Sequence, residues 1–359
     1  MALPEQARDE ALLTYDVVMA TRNRSSAVAL SLPLILTQTR ACARIVVVDS
    51  SDDDGAAIGD LVTSLASRFG REIVFLTSPP GLTKQRNLGL QHTTADVVIF
   101  PDDDSLLYLD TAEKMLAVYE ASESVAAVCA TPAVVPPDGS LDLTSYVAET
   151  QNSTQKAARK LRQIIKETAA CANPFLAVGN RLNAQQSVPD LPEHIDAAPV
   201  PYMTGFRMSF RREVITRHGF DETLRRYGWF EDIDASWGAM REGVVLMAKH
   251  ANIYHHRDAS NRAGGYAMGL WAILNRAYVV AKHVRANPDI FPNPEREFAR
   301  LRRYCKLRII AYRVLARDEF SKQRADGARD GLNYLPKLLA ADVEQLPSAY
   351  TDLERILIE

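Results

Sequence analysis

Four short runs of branched, apolar residues, each followed by a polar turn and a helix-like stretch, constrain this chain more than any other feature. They are YDVVMA from Tyr15 to Ala20, RIVVVD ending at Asp49, EIVFL and DVVIF. Between them AVALSLPLILTQT, AAIGDLVTSLASRF and LTKQRNLGLQH carry the apolar spacing of helices. Strand and helix alternating in this way predict an α/β fold: a mostly parallel central sheet with helices on both faces. Ligands of such sheets bind beyond the carboxyl ends of the strands. After Asp104, SLLYLDTAEKMLAVYEAS is predicted as a helix and AAVCATPAVV as a strand. Residues 138–200 are less regular, with a basic helix expected around KAARKLRQIIKET; they read equally as a specificity region or a surface excursion. From Pro201 to His256 the order resumes as strand, helix, loop, helix, strand, and residues 261–359 are expected to be helical.

The 359 residues are 47% hydrophobic, enough for a sizeable core. Forty-two basic against 45 acidic side chains leave a net charge of -3, which gives no reason to expect a nucleic-acid partner. Cys42, Cys129, Cys171 and Cys305 form no CxxC pair and read as reduced thiols of a cytoplasmic protein. Glu5, Asp9 and Glu10 stand where a signal peptide needs a basic and then an apolar region. The most apolar stretch, GGYAMGLWAILNRAYVVAKHV, is interrupted by Asn275 and Arg276, so it is expected to be a helix with one apolar face rather than a membrane span. Arg300, Arg302, Arg303, Lys306 and Arg308 suit either peripheral contact with the inner face of a membrane or a solvated helix face. A homo-oligomer is left open.

VVIFPDDDSLL is the strongest local signal. An apolar strand delivers Asp102, Asp103 and Asp104 to one place, where three like charges repel unless a cation or solvent compensates them. In an extended backbone Asp102 and Asp104 share a face, and two carboxylates on one face suit a hard divalent cation shared with diphosphate oxygens. The alternative is that DDDS caps the following helix.

A second acidic group follows Trp229 and Phe230. Glu231, Asp232 and Asp234 open a helix, where the dipole favours acids whatever their role. The sharper reading makes Asp232 a general base that takes a proton from an acceptor hydroxyl, with Glu231 and Asp234 holding neighbouring groups or the acceptor in register. Trp229 supplies a wall for a sugar ring or belongs to the core, and Gly205 sits where the chain can approach a ligand closely. His255 and His256 follow the apolar run VVLMA, and either is a candidate contact for metal or phosphate.

Thr21, Arg22 and Asn23 after the first strand, and Asp49 at the end of the second, lie on the predicted ligand edge. Lys84 and Arg86 place positive charge near it, although Arg86 suits an ion pair with Asp102 equally well. Arg257 and Arg262 flank the loop HRDASNRAGG, whose glycines allow closure over a diphosphate. GxGxxG after the first strand, GxxxxGK[ST] and GxSxG are all missing, which lowers the odds of a dehydrogenase, a P-loop hydrolase or a serine hydrolase.

Taken together, VVMATRNR, RIVVVDSSDDDG, GLTKQRNLGL, FPDDDS and FRMSFRREVITRHGFDE followed by WFEDIDASWGAMREG resemble the family 2 glycosyltransferases, inverting enzymes of the GT-A fold, in its bacterial form. The resemblance runs from about Tyr15 to Arg262. It implies a catalytic domain over 12–260, with nucleotide-sugar binding in 12–135 and the acceptor side in 136–260, and a helical extension over 261–359. It also implies a nucleotide diphosphate-sugar donor, a hydroxyl acceptor that is a glycan, lipid-linked or a small molecule, and Mn2+ or Mg2+. Residue by residue, Thr21, Arg22 and Asp49 would lie near the nucleoside. Asp102 and Asp104 would touch ribose, metal or diphosphate, Asp232 would be the base, and His255 would match the family histidine after the last strand. The rivals are a sugar nucleotidyltransferase, whose glycine-rich opening is missing, and a non-catalytic nucleotide-sugar-binding protein.

Overall fold

Alternation along the first strands decides how the sheet is covered. The computed structural model describes residues 12–53, 55–137, 173–257, 263–316 and 318–358. Cys171, Arg262, the KAARKLRQIIKET stretch and residues 258–262 of the HRDASNRAGG loop lie outside the described residues. In β1 (Tyr15–Thr21), β2 (Arg44–Asp49) and β4 (Val97–Phe100), Val17, Met19, Ile45, Val47, Val97 and Ile99 point to one apolar cluster. Val18, Val46, Val48, Val98 and Phe100 point to the other. A strand buried on both faces needs a layer on each side. The first face is covered by α1 (Ser25–Leu36), α2 (Ala56–Phe69) and α4 (Thr111–Glu120) through Val28, Leu32, Ile58, Val62, Met115 and Leu116.

The second face is covered by α3 (Leu82–Gln91), α5 (Pro174–Asn183), α6 (Arg212–His218) and α7 (Glu231–Ala239), then by α8 (Gly265–Arg285) and α9 (Pro294–Leu315). Its cluster runs without a break from Val18 and Val98 through Phe175 and Trp237 to Tyr278, Phe298 and Leu335. The helical extension therefore shares the core of the sheet it covers. Every residue from Leu270 to Ala281 of α8 is buried, so this helix is enclosed rather than one-faced. The reason is that α9, α10 (Glu319–Ala340) and α11 (Leu346–Ile358) surround it. Crossing of α8 and α10 is close: a Cβ on Gly269 would stand 2.0 Å from the Arg324 carbonyl oxygen, and one on Gly327 would stand 2.0 Å from that of Tyr266. No described helix is long and apolar enough to cross a membrane.

The nine described strands form one sheet in the order β3-β2-β1-β4-β8-β6-β9-β5, with β7 (Ala197–Pro199) paired to β9 (Val244–His255). β3 (Ile73–Thr77), β2, β1 and β4 are parallel. The direction reverses at β8 (Met208–Arg211), which pairs antiparallel with β4 and with β6 (Val125–Pro132). The α/β layers and the helical extension are those expected from the sequence. One element differs. Ser105–Leu107, expected to open a helix, is a strand, β5, paired antiparallel with β9. Leu106 and Leu107 are both buried there, and α4 starts only at Thr111. Tertiary pairing has overridden local helix spacing. The capping alternative for DDDS falls with it, because a strand follows directly and α4 has Asp110 at its N-cap.

Candidate active site

The parallel strands set down their carboxyl ends side by side, and the polar residues after them build a cleft of about 410 Å3 between the Asp49–Gly55 turn and residues 77–80. Asp49 is fully buried and accepts from Ser51 N (3.1 Å) and Ser51 Oγ (2.7 Å). Asn23, with φ of 52°, donates Nδ2 to Asp52 Oδ2 at 2.7 Å and accepts from Asp52 N at 2.9 Å. Arg22 joins the same exposed Asp52 at 2.9 Å. Gln85 was not expected to matter, yet it donates to the carbonyls of Thr21 (2.8 Å) and Val48 (2.9 Å), lacing the ends of β1 and β2 to α3. Lys84 is exposed on the first turn of α3.

The three aspartates after β4 do not continue it as a strand. Ser105 N donates to Asp102 O at 3.0 Å, closing a turn that sends each side chain to a different partner. Asp103 accepts from Thr21 Oγ1 at 2.8 Å and from Arg24 Nη1 at 2.5 Å. Asp104 takes Arg24 Nη2 on Oδ2 at 2.7 Å and faces His255 Nε2 across 3.2 Å on Oδ1. Asp102 accepts from Arg86 at 2.8 Å. Ladder pairing of Ser105 with His255 fixes this register and settles which of the two histidines stands beside the aspartates. The His255 ring stacks on Phe206, centroids 4.5 Å apart, whereas His256 touches Asp104 through its backbone N–H at 3.0 Å. Arg24, the residue before α1, carries no local signal of this role in the sequence.

The second acidic group reaches the same place. Phe230, φ 76°, occupies the left-handed region directly before α7, a strained position for a non-glycine residue. The turn presents Glu231 and Asp232 at the helix N-terminus. Arg86, 1% exposed, bonds both Glu231 and Asp102 and so joins the two acidic motifs. Of its two readings the structure therefore adopts the ion pair. Asp232 Oδ2 accepts from Gly205 N at 2.9 Å, and Oδ1 from Ile233 N at 2.8 Å. A Cβ on Gly205 would come within 3.3 Å of Arg86 Nη2 and 3.4 Å of Glu231 Oε1. A side chain there would be tight against the junction, and Arg86 would have to give by a few tenths of an ångström.

Burial dominates the electrostatics. It raises the carboxyls of Glu231 and Asp232 above the ordinary range; the Asp232 charge adds to the rise at Glu231, and the Gly205 N–H opposes it at Asp232. It raises Asp103 to about 7 against the opposing pull of Arg24. For Asp104 burial is outweighed by His255 and Arg24, and its pKa falls to about 2. Four carboxyl groups thus pair with the guanidinium groups of Arg24 and Arg86, and Asp232 lies in the field of Arg86. Ligand atoms of Asp102, Asp104 and His255 lie within 4.8 Å of one another. Two carboxylates and an imidazole in that span could hold a divalent cation.

Other expected contacts are placed differently. Asp234 is buried with both oxygens engaged by α8, Oδ2 by Lys282 Nζ and Oδ1 by His283 Nε2, each at 2.8 Å. An acceptor contact is thereby replaced by a helix-to-helix tie. Trp229 is half-buried, stacked on Phe230, and its carbonyl accepts from Asn275 Nδ2 at 3.0 Å. Arg257 is exposed just past β9 with φ of 58°.

Comparison with known proteins bears on the fold and on the first half of the chain. Residues 16–181 match the family described as Glycosyl transferase family 2, a stretch that holds Asp49, Arg86 and the three aspartates but ends before α7. No curated protein matches the chain by sequence. Among solved structures, GalNAc-T7 with UDP, GalNAc and Mn2+ is 15% identical with a TM-score of 0.51, the match covering 95% of this chain and 59% of that one. The chain thus spans less than two thirds of that protein. A mannosyltransferase of Pyrobaculum calidifontis, PcManGT, in complex with GDP-Man and Mn2+, is also 15% identical, covering 97% of this chain and 88% of that one; its TM-score of 0.49 is too low to argue from. The chain has the GT-A architecture and is related, over residues 16–181, to the family 2 glycosyltransferases.

Proposed function

We propose that this chain is an inverting glycosyltransferase that moves a sugar from a nucleotide diphosphate donor to an acceptor hydroxyl. The observation that carries the reading is the Arg86 bridge, which joins Asp102 to the Glu231–Asp232 pair, far apart in sequence. Nucleoside contacts fall to Thr21, Arg22, Asn23 and Asp49 in the cleft beside the β2–α2 turn, with Lys84, Asp103 and Arg257 as further donor contacts. Asp104, Asp102 and His255 would hold Mn2+ or Mg2+, which when bound would draw charge off the departing diphosphate. Arg24 already pairs with Oδ2 of Asp104, whose Oδ1 faces His255. Asp232, held by two backbone N–H groups, takes the proton of the attacking hydroxyl, and Glu231 with Arg86 keeps it in place. Displacement from the face opposite the leaving group inverts the anomeric carbon.

The matched family and the GT-A fold support the donor class. Glycan assembly in a bacterial cytoplasm, as for the polysaccharide-building members that the sequence resembles, is part of the same proposal. A donor panel assayed with Mn2+ and with Mg2+, on native protein and on Asp232→Asn, tests it. Metal-dependent turnover of one nucleotide sugar, lost in the variant, is expected. Binding without transfer across a broad acceptor panel would point to a binding protein, and synthesis of the nucleotide sugar itself to a nucleotidyltransferase.

A further inference from the structure

Three arginines gather beside the acidic helix, and none of them meets a carboxylate among the described residues. Arg276 of α8 is 7% exposed, and its guanidinium lies on the rings of Phe175 (4.1 Å), Phe230 (4.5 Å) and Tyr304 (4.9 Å). Its Nη1 is buried and finds no hydrogen-bond partner. Arg308 of α9 donates to the Tyr312 hydroxyl at 2.6 Å, and Arg324 of α10 donates to the same oxygen at 3.2 Å. Arg324 also lies over Tyr312 (4.5 Å) and Trp229 (5.6 Å), with its Nε buried and unpartnered. Among the described residues no Asp or Glu pairs with any of the three.

Ring faces compensate such charges only in part, by roughly 0.5–2 kcal/mol each, and a buried charge left without a counter-ion is expensive. What the cluster lacks is an anion. Guanidinium forks match the oxygens of carboxylates and phosphates. Three cations suit a phosphoryl group, which carries more than one negative charge and three free oxygens, better than a carboxylate. Placement agrees: Phe230, under Arg276, directly precedes Glu231 and Asp232, and Tyr202 lies in the field of both Arg276 and Asp232. The half-buried edge formed by Arg308, Arg324 and Trp229 is where a ligand would enter.

We propose that Arg276, Arg308 and Arg324 bind a phosphoryl group of the acceptor, so that the hydroxyl taken by Asp232 belongs to a phosphorylated molecule. This rests on the glycosyltransferase reading above. The phosphoryl group has two sources, a soluble sugar phosphate or a lipid phosphate at a membrane surface, and the same cluster would serve either.

Calorimetry on the full chain, with the donor cleft filled by nucleoside diphosphate and Mn2+, would test it using glucose 1-phosphate as probe. Saturable binding is expected, with glucose and glucuronate much weaker. Arg308→Gln and Arg324→Gln, at half-exposed positions that spare the packed Arg276, should each weaken it by about tenfold, the worth of a charge-assisted hydrogen bond. Circular dichroism would identify the folded variants, and either one suffices. Co-sedimentation with phosphatidylcholine vesicles, with and without phosphatidic acid, separates the sources: retention that needs the phosphatidic acid and is lost in the variants assigns the lipid, and glucose 1-phosphate binding without retention assigns the soluble acceptor. No saturable binding of either phosphate by the native chain, or unchanged affinity in the folded variants, overturns the proposal. Titration of nucleoside diphosphates with Mn2+ alone reports separately on the donor reading, which fails if none binds.

Discussion

Asp232 sits where its protonation would govern the chemistry. A base must be ionised to accept a proton, and burial lifts this carboxyl above the ordinary range. The acidic limb of kcat/KM should therefore lie above the usual carboxylate values, with activity falling as pH falls through the raised pKa; a pH–rate profile checks this. Asp232→Asn should lower kcat by about 10²–10⁴-fold. The same raised pKa means that the folded state binds the proton more tightly than the unfolded state. Ionisation thus weighs against folding as pH rises, and the Asn variant should melt no lower than the native protein at pH 8. At the other motif, His255→Ala removes one of three donor atoms and should raise the Mn2+ concentration needed for half-maximal activity by about tenfold or more, on the order of losses seen around metal sites. Mn2+ titration of the two proteins would show it. In sequence the three aspartates, the Glu-Asp pair and the histidines were all legible as charges near strand ends. Arg24 and Gln85 were not, because nothing local marks a polar residue whose partner comes from another strand.

At the scale of elements, α7 is held from behind by α8. Asp234 bonds Lys282 and His283, while Lys282 and the Tyr278 hydroxyl also bond Asp221 at 2.7 and 2.6 Å. Breaking a buried pair by removing one charge costs about 3–5 kcal/mol. Asp234→Asn is expected to lose stability in that range, measured by urea unfolding. Burial works against ionisation of Asp234, but Lys282 and His283 win and its pKa is lowered. Its contribution is thus present above the ordinary carboxylate pKa and is lost as pH falls from there towards the depressed folded value. The stability gap between native and variant should narrow below about pH 4, the unfolded carboxylate value. Strand β5 belongs to the same scale. SLL reads as helix from its own spacing, yet pairing with β9 makes it a strand and sets His255 beside Asp104.

For the molecule as a whole, donor and metal should bind the folded state alone, since the cleft and the three donor atoms are assembled from β2, β4 and β9. Nucleoside diphosphate at about 100 times its Kd should add about 2.7 kcal/mol of stability. The rise in Tm should shrink when Mn2+ is withheld, which differential scanning fluorimetry would detect. The α/β class, the order of the strands along the chain and the helical extension follow from the sequence itself, because branched apolar runs, polar turns and helix spacing are local signals. Enclosure of α8 does not follow from its sequence, since the surfaces that cover it lie in helices yet to come. Nor does the meeting of Asp102 with Glu231 through Arg86. That contact depends on β4, α3 and α7 packing against one sheet, and only the folded chain brings those carboxyl groups close enough to need a shared cation.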